Sequence, residues 1–399
     1  MDILTRFKKY IAIDTMSSET SGTHPSSSIQ TEFANVLLTD LKELGVTDCY
    51  VDEHSYVYAH IDNGSKKTIG LISHMDTSCA LIGGIKNPRL IKNYDGKDIV
   101  LNDKYIMKSS EFPCLNEVVG EDLLVTDGDH LLGGDDKAGI AIIFEFLSYY
   151  IAHKDEFKYN LAVCFTPDEE IGEGPMFFDC KKLNANVAFT LDGESIYEAS
   201  YENFYASSAK VKIDGVGVHP GMAYNIMINS TLLANEFISL LPNDMTPAKT
   251  KGYEGFIHLC SINGDCESTT TNFIIRDFDY NLLKEKENML IKAKETILKE
   301  YPKANIEVLI KEEYKNMKPM FIKDTTAIDL INKAYINKKM KIKYSPIRGG
   351  TDGATITYMG INCPNLGVGD FNPHGRFEFV SLTQMKLMVD VLKEMFKVD

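Results

Sequence analysis

Short apolar runs recur along this chain, and most of them stop at a carboxylate or an imidazole. Thr68 to Ser73 leads into His74, Asn160 to Phe165 into Glu169 and Glu170, Val187 to Leu191 into Asp192, and Pro364 to Val368 towards His374. Runs of this length read as buried strands. In open α/β sheets, ligand sites gather outside the carboxyl ends of the strands, so residues far apart in sequence can converge there. Between the runs lie helical patterns. Met1 to Tyr10 has apolar residues at helical spacing, and a Ser/Thr-rich loop from Ser17 to Ser28 precedes a helix over Ile29 to Leu44. Lys137 to Ile151 is the clearest helix, with Ala138, Ile140, Ala141, Ile143, Phe144 and Leu147 as its apolar stripe and Asp136 placed to cap it.

The first part of the chain therefore reads as alternating strands and helices, but the middle changes order. A strand (Ser208 to Ile213), helix (Ile228 to Leu241), two strands (Gly255 to Asn263, Thr270 to Asp277), a long helix (Leu282 to Tyr301) and a strand (Asn305 to Ile310) follow one another. That β-α-β-β-α-β order is a compact unit in its own right. Beyond Pro319 the alternation resumes, with helices over Thr325 to Lys338 and Ser381 to Phe396 around the loop Arg348 to Gly353. The expected organisation is an α/β domain over 1–203 and 317–399, interrupted by an α+β domain over 204–316. A chain of 399 residues exceeds the size at which one core usually stops growing, which also favours two domains.

Composition narrows the chemistry. The formal net charge of −15 and the lack of a long Lys/Arg cluster argue against nucleic acid as a partner. No apolar stretch is long enough to span a bilayer, and the amino terminus lacks the apolar core of a signal peptide, so the expectation is a cytoplasmic protein with no membrane partner. The eight cysteines are dispersed without a C-x-x-C pair, so most are expected to be buried thiols; Cys79, near His74, is read as a small core residue.

Two histidines and five carboxylates remain as candidate chemistry. His74 and Asp76 stand two apart, on one face of an extended backbone, so the carboxylate could steady a metal-binding imidazole. Asp136 is explained by helix capping; Asp135 is not, and is free to bridge two cations. Of Glu169 and Glu170, one can bind metal while its neighbour handles protons. Each residue alone has a plain alternative, such as a turn aspartate at Asp192 or a surface histidine at His374. Their joint placement at the ends of core strands points to a two-metal hydrolytic site. Mixed imidazole and carboxylate ligands favour zinc, with cobalt or manganese as substitutes.

The strings His74-Met75-Asp76-Thr77, Gly133-Gly134-Asp135-Asp136-Lys137-Ala138-Gly139, Thr166-Pro167-Asp168-Glu169-Glu170, Gly215 to Gly221, Arg348-Gly349-Gly350-Thr351-Asp352-Gly353 and Pro373 to Phe379 together resemble the peptidase T family. These are tripeptide aminopeptidases of a co-catalytic zinc peptidase clan that also holds dipeptidases and aminoacylases. The resemblance implies a catalytic domain with a central mixed sheet flanked by helices, an inserted lid of the kind that can dimerise, and two zinc ions. It places one zinc on His74, Asp135 and Asp192 and the other on Asp135, Glu170 and His374. Asp76 would orient His74, Glu169 would be the general base, and the Asp135–Asp136 peptide would be cis. His219 resembles the clan histidine that donates to the developing oxyanion, in its own or a neighbouring subunit. Arg348, with Arg276 as a second candidate, could pair with the terminal carboxylate of a peptide. Gly134 departs from the pattern, since relatives often have alanine there.

The function implied is removal of the amino-terminal residue from short peptides. A dipeptidase or an N-acyl amino acid deacylase on the same scaffold is the alternative. A two-metal phosphohydrolase is weakened by the imidazole ligands and the lack of a basic phosphate cradle, and a noncatalytic peptide-binding relative by the intact Glu169.

Overall fold

The computed structural model describes residues 1–398 and divides into two compact units. The first comprises Met1–Tyr201, Met317–Ser345 and the chain from Thr351 onward, and the second comprises Glu202–Asn316 with Pro346–Gly350. Among the described residues, the first unit builds a large sheet from β1 (Asp48–Val51), β2 (Val57–Ile61), β3 (Thr68–His74), β4 (Asn160–Thr166), β5 (Val187–Gly193), β6 (Glu198–Ser200), β7 (Lys343–Tyr344) and β8 (Asn365–Gly367). Their order is β1-β2-β4-β3-β5-β8-β6-β7. The four central strands, β4, β3, β5 and β8, run parallel, and antiparallel pairs flank them. Parallel strands covered on both faces are mostly apolar, as β3, β4 and β5 are in their middles. Side chains alternate between the faces: Ile72, Ala162, Cys164 and Ala188 pack with Phe178, Leu183 and Ile356 on one side, while Phe165 stacks on Phe144 of the helix Gly134–Ala152.

That helix takes its true start at Lys137, because Asp135 and Asp136 have non-helical backbone and Asp136 Oδ1 accepts the Gly139 N–H at 3.1 Å. The Asp136 side chain thus caps it. The helices Ile3–Ile11 and Leu382–Phe396 pack against it.

One part of the expected alternation fails. Between Asp76 and Gly133 there is no α-helix; the short strands Arg89–Ile91 and Leu123–Val125 join Asp370–Phe371 and Phe379–Ser381 in a small separate sheet. The segment is rich in Asp, Asn, Lys, Gly and Pro, and its apolar residues come in pairs rather than at helical period, so only tertiary packing around Tyr94, Leu115, Val125 and Phe379 orders it. The cysteine expectation is corrected as well. Only Cys164 and Cys363 are buried, and Cys79 is exposed, because it lies past the end of β3 where the chain has left the sheet.

The second unit is an antiparallel sheet ordered Phe256–Gly264, Ser268–Asp277, Tyr205–Asp214, Asn305–Tyr314, with the helices Ser230–Ser239 and Tyr280–Glu300 packed on it. Its core holds Val211, Ile213, Leu233, Phe237, Phe273, Ile275, Leu290 and Ile297. Asn229 and Asp279 cap the two helices by accepting N–H groups of the first turn, worth about 1 kcal/mol each. Pro346–Gly350 belongs here because Ile347 N–H donates to Glu202 O and Arg348 bonds the loop at Thr250 to Glu254.

Candidate metal centre

β3, β4 and β5 end side by side, with His74 in register with Thr166, so the residues beyond them emerge together. Asp135 is the hub of what gathers there. One of its oxygens lies 2.8 Å from His74 Nε2 and the other 3.1 Å from His374 Nε2. Asp192 Oδ1 approaches His74 Nε2 at 3.4 Å, and Glu170 Oε2 approaches His374 Nε2 at 2.8 Å. Five side chains spread over three hundred positions thus form one connected cluster, in which His74, Asp135 and Glu170, or His74, Asp136 and Asp192, could share an ion.

The scaffold beneath is made of further carboxylates. Asp76 accepts the Glu169 N–H at 3.0 Å and the Glu170 N–H at 3.1 Å, while its carboxylate lies 3.4 Å from His74 Nδ1. It therefore ties the glutamate loop to the imidazole. Asp136 accepts from the Ser73 hydroxyl and from His74 N–H, the latter at 3.2 Å. Glu378, fully buried, accepts four successive N–H groups from Leu132, Gly133, Gly134 and Asp135 at 2.6–3.2 Å. That cradle sets where the Asp135 backbone sits. The Asp135–Asp136 peptide is cis.

Crowding of charge shows in the proton affinities. Burial pulls His74 down, yet Asp192, Asp135 and Asp76 outweigh it and hold the imidazolium well above the usual range. Hydrogen bonds to Asp135 and Glu170 push His374 up to about 11. Burial alone would raise Asp135, but the two imidazoles hold it below the ordinary carboxylate range. Burial lifts Asp192 to about 6 and takes Glu169 well above its usual value, with Asp352 and Asp192 adding to the latter. So many desolvated carboxylates around two imidazoles call for cations. The donor set fits: imidazole nitrogens and carboxylate oxygens suit zinc-like ions, and Glu170 Oε1 is buried without a hydrogen-bond partner, a lone pair left for a metal.

The comparisons with known proteins decide the family. Residues 126–398 match the model of peptidase family M20/M25/M40. The chain belongs to that family. This M20 peptidase is 44% identical over 396 residues to peptidase T of Clostridium botulinum (strain 657 / Type Ba4), covering 98% of this chain and 97% of that one. Its fold is similar to that of aminopeptidase PepT from Bacillus cereus, with a TM-score of 0.77 at 19% identity over 99% and 97% of the two chains. It is also similar to a dinuclear metal-binding M20 peptidase from Bacillus subtilis, with a TM-score of 0.64 at 12% identity over 98% and 96%. The M20 peptidase is thus a hydrolase of the peptidase T kind, and its mixed α/β fold is that of the family.

Three residues read as substrate-binding lie in the second unit. His219 is exposed, and its Nδ1 accepts the Gly221 N–H at 3.1 Å. Arg276 donates to Ser207 O and Ile275 O and sits 5.1 Å over the Tyr314 ring. Arg348 donates to Gly252 O, Glu254 O and Thr250 Oγ1 with its guanidinium over Phe204. Both arginines brace their own unit.

Sequence reasoning assigned no role to Glu378 or Asp352, although both fall within quoted strings. Asp352 is buried, accepts from Thr166 Oγ1 at 3.1 Å and is lifted to about 7 by burial. The signal was present: both strings are longer than their assigned ligands require. Gly134 is explained too, since a Cβ there would collide with Asp370 and Val380.

Proposed function

We propose that this M20 peptidase removes the amino-terminal residue from short peptides, tripeptides foremost, using two zinc ions and Glu169 as general base. The observation that carries the reading is the single carboxylate of Asp135 lying between two imidazoles, one oxygen to each. His74, Asp135 and Asp192 would hold one ion, and Asp135, Glu170 and His374 the other. Two such ions, when bound, supply Lewis-acid polarisation of the scissile carbonyl and activation of water at neutral pH.

The chain's own side chains do the rest. Glu169 takes a proton from the attacking water onto its carboxylate and passes it to the amine nitrogen as the C–N bond breaks. Asp76 keeps Glu169 and Glu170 in place through their backbone N–H groups and orients His74 from below. Burial of Glu169 favours the protonated form that the second transfer needs.

Replacement Glu169→Ala is expected to leave metal content unchanged and to lower turnover of free tripeptides by roughly 10²–10⁴-fold, the range of a lost general base. Hydrolysis near the wild-type rate would reject the base assignment. Acetylating the tripeptide's α-amine separates the alternatives: loss of cleavage supports an aminopeptidase, and undiminished cleavage would make the protein a deacylase or an amine-indifferent peptidase.

A further inference from the structure

The Ser/Thr-rich segment before the helix Ser28–Glu43 carries His24, a histidine outside the metal cluster. His24 is held between rings, 4.9 Å from Phe177 and 5.8 Å from Tyr56, and its side chain is only 6% exposed. Neither ring nitrogen makes a hydrogen bond. Two carboxylates nevertheless face the same nitrogen: Asp168 Oδ2 at 3.2 Å and Glu173 Oε2 at 3.8 Å from Nδ1. Bonds of 2.0–2.2 Å to a tetrahedral zinc separate its ligands by roughly 3.4 Å. Separations of 3.2 and 3.8 Å lie on either side of that value, so one ion can be within reach of the imidazole and both carboxylates.

We propose that His24, Asp168 and Glu173 form a further divalent-cation site of the zinc class. The three ligand atoms lie close enough to meet on one ion. A cavity of about 440 Å³ lined by Ser18, Glu19, Thr23, His24 and Glu173 adjoins them, leaving room for water to complete the coordination.

The site has a consequence for the loop that follows. Asp168 already binds the segment, accepting from Ser26 N at 2.7 Å, Ser26 Oγ at 2.5 Å and Gln30 Nε2 at 2.6 Å. It immediately precedes Glu169 and Glu170. A cation on Asp168 clips His24 and the Ser17–Ser28 segment to the loop that bears the proposed base, so its effect on hydrolysis is one of positioning.

Equilibrium dialysis of the full chain against buffered zinc, followed by elemental analysis, compares the wild type with Glu173→Gln and His24→Phe. Each variant is expected to hold one zinc per chain fewer, whatever number the His74 cluster holds, so the outcome does not depend on that cluster's reading. His24→Phe keeps a ring in the aromatic packing, and Glu173→Gln alters a side chain 38% exposed, so it carries the test even if the other variant fails to fold. Equal zinc in wild type and Glu173→Gln would show that His24 is no more than a ring packed beside two acids, and would overturn the proposal.

Discussion

The two units of this M20 peptidase bury different things. At the strand ends of the first, His74, Asp76, Asp136, Glu378 and Asp352 are all almost fully withdrawn from solvent, each held by hydrogen bonds or by a neighbouring charge. The second unit buries an apolar core under two helices, and its buried charges form simple pairs, Lys286 with Asp277 and Lys284 with Glu287. Buried polar groups cost free energy unless they are paired, so a cluster this dense is kept where it does chemistry. The second unit is stabilised by area and packing. Damage to the first should therefore appear as lost metal and activity, and damage to the second as lost stability.

Asp135→Asn tests the first half of that contrast most severely. It removes charge from a carboxylate that reaches both imidazoles, and peptide hydrolysis is expected to fall by at least ~10³-fold with loss of bound metal. Retained metal and turnover would show that Asp135 is no bridge. Phe237→Ala addresses the second half. Phe237 is fully buried against Phe273, and truncation there should cost about 3–5 kcal/mol in denaturant unfolding. Turnover per folded molecule should stay unchanged; a fall in kcat at full folding would mean that the second unit's core feeds into the chemistry.

Gly134→Ala is the gentlest probe. Its methyl group must displace Asp370 or Val380, at about 1–3 kcal/mol for overpacking. Combining it with Asp370→Ala should recover most of that cost in a double-mutant cycle. Additive losses would show that Asp370 is not what made a glycine necessary.

Legibility followed the same division. In the second unit the alternating and helical patterns predicted each main element within a few residues, because a sheet with one covered face and amphipathic helices writes its burial directly into the sequence. Asp279 even stands where the long helix begins. In the first unit the strand-end residues were visible as polar stops to apolar runs. The region between Asp76 and Gly133 was not, since two- and three-residue strands carry too few positions to show a period.

Sequence by itself determined the chemical types available at the site: imidazoles and carboxylates at the ends of buried strands, and a glutamate pair beside them. Only tertiary structure decided how they are held. The four N–H groups that converge on Glu378 come from 243–246 residues earlier in the chain, and Asp76 reaches a loop ninety-three residues away. His24 faces Asp168 across a comparable gap, and Asp352 reaches Thr166 from the far end of the chain. A hydrogen bond or a shared ion depends on distances of a few ångströms, which sequence separation does not encode; the parallel sheet, by aligning its strand ends, sets them.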